Sequence, residues 1–203
     1  MSVESLLNFL IRFTNRNSIL FKLANDINNK VLFIFNKKNI KKKFVKSKQI
    51  GLNSGESIKI INLDFNNCED LYHLLSNGFS KRSQDYLKLY NVTRESVYSL
   101  LKFKTSIVFG AYHHNELVAY GVVKLFLRNS SFIVFGVKES WEKKGVGSAL
   151  VRFMVEINKK NDFKTYAIID KENAASYNHL LKLGFMILKK TKEHFFMNHQ
   201  NAQ

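Results

Sequence analysis

Residues 137–150, V-K-E-S-W-E-K-K-G-V-G-S-A-L, join an apolar run to a segment of helical spacing, and the manner of joining decides the fold. The run before them, Ser131 to Val137 (S-F-I-V-F-G-V), has the length and β-branched content of a buried strand. After them, Ala149, Leu150, Phe153, Met154 and Ile157 recur at helical spacing. The order is strand, glycine-containing turn, helix. Gly145 and Gly147 lack a Cβ, so the backbone can turn tightly and an anion can approach consecutive N–H groups. The first N–H groups of a helix have no partner within it and carry the positive end of its dipole, which suits a phosphate. Lys143 and Lys144 add charge beside them, and Ser148 completes the turn. A tight turn without a ligand is the competing reading. The spacing is not a dinucleotide fingerprint, whose third glycine would fall at Leu150, and no G-x-x-x-x-G-K-[ST] occurs.

The following residues continue with a strand at Thr165 to Asp170 (T-Y-A-I-I-D), then Asn173, a short helix, Leu183-Gly184-Phe185 and a last pair of strands. This order resembles the C-terminal half of the GCN5-related N-acetyltransferase (GNAT) superfamily. The pyrophosphate turn of that family reads [QR]-x-x-G-x-[GA], here Glu142 to Gly147. Its last helix reads N-x-x-A-x-x-L-Y-x-K-L-G-F, here Asn173 to Phe185. The resemblance implies an α/β (α+β) fold with a mixed, mostly antiparallel central sheet flanked by helices. It implies acetyl-CoA as co-substrate, no metal, and direct transfer of the acetyl group to a primary amine. The main chain of Phe135, Gly136 and Val137 would hold the pantetheine arm. Lys143, Lys144, Gly145, Val146, Gly147 and Ser148 would hold the pyrophosphate, and Asn173 the pantetheine or ordered water.

Two positions depart from the family pattern. Glu142 replaces Gln or Arg, placing a negative side chain near a pyrophosphate, with Lys143 and Lys144 to offset it. Leu180 stands where many members have the tyrosine that protonates the leaving thiolate, and Tyr177 is almost one turn away. Glu139, two residues beyond the strand, is a candidate base acting through water, with a surface carboxylate as the bland reading. Tyr177 and His179 are further candidates. The alternative to an enzyme is an impaired CoA-binding or membrane-associated interaction protein that keeps the fold.

Charge divides the chain. Of 203 residues, 1–50 hold eleven Lys and Arg against Glu4 and Asp26, while the rest hold twenty-one against fourteen. The reading is therefore a basic helical extension and linker over 1–50, then an acyltransferase-like domain over 51–203. Leu6, Leu7, Leu10, Ile11 and Phe13, then Leu20, Leu23, Ile27, Val31 and Ile34, predict two amphipathic helices, interrupted by too many charges to span a membrane. The lysine run from Lys37 to Lys48 offers peripheral contact with an anionic membrane, against a solvated linker behind a helical hairpin that packs on its own domain or on a second copy as a homodimer. Nucleic acid is disfavoured, since the run has little aromatic interleaving.

Cys68, the one cysteine, cannot form an internal disulfide, and no secretory leader is recognised, so cytoplasmic is the expected compartment. Ser57 to Leu63 predicts a strand. Asn67 to Phe79 predicts a helix capped by Asn66 or Asn67, and Ser83 to Leu101 a further helical stretch. Thr105 to Tyr112 and Leu117 to Phe126 predict a hairpin around His113-His114-Asn115-Glu116, the strand from Ser131 completing a meander. Adjacent histidines on extended chain face opposite ways, so no metal site is expected there. Where the acceptor is concerned, small-molecule and peptide amines remain equal possibilities.

Overall fold

The structure, a computed structural model, describes Phe44 and residues 47–200 apart from 88, 90, 104, 127 and 128. The helices predicted over residues 1–35 and most of the lysine run lie outside the described residues. Eight strands form one sheet: β1 (Lys48–Gly51), β2 (Ser57–Asn62), β3 (Ser106–His113), β4 (Glu116–Phe126), β5 (Ser130–Val137), β6 (Lys164–Asp170), β7 (Phe185–Lys190) and β8 (His194–His199). Their order is β1-β2-β3-β4-β5-β6-β8-β7, antiparallel everywhere except at β5 and β6. Five helices complete the described chain: α1 (Cys68–Asn77), α2 (Lys81–Leu87), α3 (Arg94–Lys102), α4 (Val146–Lys160) and α5 (Ala174–Lys182). This is the mixed, mostly antiparallel sheet with flanking helices that the sequence predicts.

Burial explains the two helical layers. Leu71, Leu74 and Leu75 of α1 and Val97 and Leu101 of α3 cover Val108, Leu117 and Tyr120 on one face of the meander. Successive residues of a strand face opposite ways, so Gly121 looks the other way. A Cβ on it would lie 2.7 Å from the sulfur of Met154, so α4 packs directly on the opposite face, with Phe153 edge-on to Phe109 at 5.2 Å. Tyr112 ties α1 to β3 by donating its hydroxyl to Asp70 Oδ2 at 2.7 Å. Burial, then Asp70, holds that hydroxyl protonated well above the usual tyrosine range.

Local chemistry redraws several predicted boundaries. A strand at Lys48–Gly51, across the predicted boundary between residues 50 and 51, pairs with β2 and is tied to α4 by Lys48 Nζ to Glu156 Oε2 at 2.9 Å. Asn67 is the N-cap of α1, as predicted, but makes no side-chain cap bond to it, and the capping bonds come one turn earlier, at Asp64. Its carboxylate accepts the Asn66 N–H at 2.8 Å, Asn67 Oδ1 accepts the Asp64 N–H at 3.1 Å, and a 3-10 turn at Phe65–Asn67 leads into the helix. The stretch from Ser83 to Leu101 is two helices, separated at Asn91 (φ 54°) and restarted by Thr93, whose hydroxyl accepts the Ser96 N–H at 3.2 Å. Cys68 is only partly buried at the edge of the α1 core, where burial raises its thiol pKa.

Candidate active site

Pairing along β5 is unequal on its two sides. Against β4 it is paired from Ser130 to Val137, but against β6 only Ser130, Ser131 and Phe132 are matched, to Lys164, Thr165 and Tyr166. Both strands continue, β5 through Ile133 to Val137 and β6 to Asp170, without pairing to each other. Every second residue of each strand therefore turns main-chain donors and acceptors into the gap. Such groups need partners when covered, and an extended amide-bearing arm supplies them as an added strand would.

The end of this gap meets the start of α4. After β5 a 3-10 turn, Glu139–Trp141, seats the buried Trp141, and the chain reverses through Lys143 (φ 62°) and Gly145 (φ 90°). The second angle is where glycine avoids the Cβ clash that other residues meet. The first bond of α4 runs from the Ala149 N–H to Gly145 O at 3.0 Å, and Gly145 provides no side-chain cap. The N–H groups of Val146, Gly147 and Ser148 thus have no acceptor among the described residues. A Cβ on Gly147 would sit 3.3 Å from Val137 Cγ2, 3.4 Å from His179 Cε1 and 3.6 Å from Phe135 Cε2. Those three distances place the uncapped turn of α4 beside the open stretch of β5.

The two lysines of the turn differ. Lys143 is exposed, whereas Lys144 Nζ lies 3.3 Å from Glu56 Oε1 and 4.3 Å above the Trp141 ring. Glu56 is held below the usual carboxylate range first by the Ser54 hydroxyl and then by Lys144. The β1–β2 connection therefore shares the charge of Lys144, a coupling that no local pattern signals.

On α5, Asn173 is the N-cap, its Oδ1 accepting the Ser176 N–H at 3.1 Å. Leu180 is fully buried, and Tyr177 lies against Phe195 with ring centroids 4.6 Å apart. His179 is half-buried, 5.7 Å from the Phe135 ring, and its Nε2 is 2.9 Å from Ser148 Oγ. Burial, then Lys182 and Arg152, lowers its pKa. Glu139 has an exposed side chain, and its N–H donates to Gly78 O at 2.9 Å, fixing the end of β5 to the end of α1. The structure thus gathers Phe135, Val137, Gly147, Ser148 and His179, while Tyr177 is engaged with β8.

Gly136 is small because side chains crowd its face of the strand. It pairs regularly with Tyr120, and a Cβ there would lie 2.8 Å from Phe79, 2.9 Å from Leu87 and 2.9 Å from Tyr120. Helix α2, bearing Leu87, also reaches the far side of the gap, where Tyr86 donates to Glu172 O at 3.0 Å. The paired histidines also differ from expectation. His114 has φ 50°, so the chain is not extended, and the two rings stand 4.2 Å apart with His113 on Trp141. Among the described residues no cluster of His, Cys, Asp and Glu could hold a metal, and no helix is long and apolar enough to cross a membrane.

No curated protein matches the chain. Solved structures match its fold. The GNAT domain of S. lividans PAT is 13% identical with a TM-score of 0.69, covering 75% of this chain and 95% of that one. The PaiA N-acetyltransferase from Thermoplasma acidophilum, in complex with coenzyme A, is 17% identical with a TM-score of 0.59, covering 70% and 98%. The ribosomal-protein-S18-alanine N-acetyltransferase from Escherichia coli is 15% identical with a TM-score of 0.57, covering 70% and 92%. A sequence model described as the acetyltransferase (GNAT) family matches residues 68–185, more than half of the chain and the whole stretch from α1 to the start of β7. The chain belongs to the acetyltransferase (GNAT) family.

Proposed function

We propose that the protein transfers an acetyl group from acetyl-CoA directly to a primary amine. One observation carries this reading: the uncapped N–H groups of Val146, Gly147 and Ser148 adjoin a strand edge left open from Ile133 to Val137. An acyl-CoA has a diphosphate followed by an arm with two amides, so its donors and acceptors suit those two surfaces in sequence. Lys143 to Ser148 would hold the diphosphate, the main chain of Phe135 to Val137 the arm, and Asn173 its outer side. When bound, acetyl-CoA supplies an activated acyl group and a thiolate leaving group.

The remaining work falls to this chain. Main-chain N–H groups on the open side of β5 are the donors available to an acyl oxygen. Glu139, exposed two residues beyond β5, would be the base that takes the proton of the amine through water. Buried Leu180 offers no proton, so the thiolate takes its proton from water or from the positively charged nitrogen of the tetrahedral intermediate as that collapses to the neutral amide. That burial also favours a second reading, in which the protein binds acyl-CoA without efficient turnover.

Thiol release from acetyl-CoA with a panel of small-molecule and peptide amines tests the enzyme, and calorimetry with CoA tests the site. Gly147→Trp should abolish CoA binding, with the melting temperature read alongside, because even a Cβ there lies 3.3 Å from Val137 Cγ2 and 3.4 Å from His179 Cε1. No CoA binding by the wild type at millimolar concentration overturns both readings, and binding without thiol release leaves the second. Glu139→Gln should lower kcat/KM by about 10²-fold or more if Glu139 is the base, and leave CoA affinity unchanged.

A further inference from the structure

His179 occupies the position at which the last-helix motif carries leucine, so a titratable ring replaces an apolar side chain in the wall beside the start of α4. Its neighbours define what it can do. Phe135 of β5 lies edge-on to the ring, a Cβ built on Gly147 would lie 3.4 Å from Cε1, and Ser148 Oγ is hydrogen-bonded to Nε2. Nδ1 has no partner among the described residues. The charged groups acting on the ring are Lys182 on its own helix and Arg152 on α4, both cationic. The N-terminus of α4 adds a third positive influence. We propose that His179, positioned by Ser148, is a binding residue for the diphosphate of the acyl donor and takes up a proton from solvent as that diphosphate binds.

This rests on the proposed acyl-CoA site and deepens it. In the free protein, burial and three positive neighbours keep the imidazole neutral, with its pKa below the ordinary value of 6.5. A diphosphate held by the Gly147 and Ser148 amides brings two negative charges against the same ring and reverses the sign of the local field. The ring then binds more protons in the complex than in the free protein. By linkage, affinity must rise as pH falls through the interval between the two pKa values, by at most about tenfold per pH unit for one proton. Ser148 fixes one ring nitrogen and leaves the other as a donor.

Dephospho-CoA is the probe, because it keeps the diphosphate and lacks the phosphomonoester, whose second pKa of about 6 would titrate in the same range. Its affinity for the full chain is measured by calorimetry from pH 5.5 to 8.0, in two buffers of unlike ionisation heat. The expected result is several-fold tighter binding at the acidic end with net proton uptake by the wild type. His179→Leu, which restores the residue of the family motif, and His179→Gln should both bind with a flat pH profile and no uptake. Zero proton uptake by the wild type, or the same pH slope in His179→Leu, overturns this inference and leaves the acyl-CoA site standing. No binding of dephospho-CoA or CoA at any pH overturns both.

Discussion

At the residue scale, glycine carries different information at different positions. Gly145 is legible because its reason is local, a left-handed angle at the residue just before α4, whereas Gly147 is the second residue of that helix and is crowded in part by His179, brought from α5. Gly136 is not legible, because its reason is Phe79 and Leu87, brought over the strand by helices distant in sequence. Gly136→Ala should therefore cost about 1–3 kcal/mol through overpacking, read as a lower urea midpoint with an unchanged slope. The pairing of Ser148 with His179 follows the same rule. Each residue stands inside a recognisable motif, but the bond between them exists only once α5 packs beside α4.

Elements were legible where their signals were self-contained. The strands of the meander, α4 and α5 fall where alternation and helical spacing put them. The split between α2 and α3 was missed because its cap uses Ser96 where the common capping pattern has Glu or Gln, so T-R-E-S passes for helix interior. Thr93→Ala should remove that cap and cost about 1 kcal/mol, with amide exchange accelerated first at residues 94–97. Helix α2 reaches across the gap through the Tyr86 hydroxyl, and nothing in its seven residues announces this. Tyr86→Phe should speed exchange in α2 while α1 and α3 keep their protection, since those two supply fully buried residues to one shared core and α2 supplies only the partly buried Leu87.

For the whole molecule, charge and topology act together. Glu156 lies between Lys160, at 2.6 Å, and Lys48, at 2.9 Å, and these two, in that order, pull its carboxyl down to about 2 from 4.5. A lowered folded-state pKa stabilises above the unfolded value, and that stability is lost as pH falls from 4.5 towards 2. The site is largely solvent-exposed, so the expected effect is that of a surface pair, no more than about 1 kcal/mol. The gap in urea midpoint between wild type and Glu156→Gln should be constant above pH 5, narrow as pH falls below 4.5 and close only near pH 2. The parallel seam has a further consequence. Residues 130–132 and 164–166 are a narrow spine joining two leaves, one made of five strands and the other of three. Any occupant gripping both leaves would do for the free margin what a binding does for loose pages, so the melting temperature should itself report occupancy, climbing with the logarithm of donor concentration.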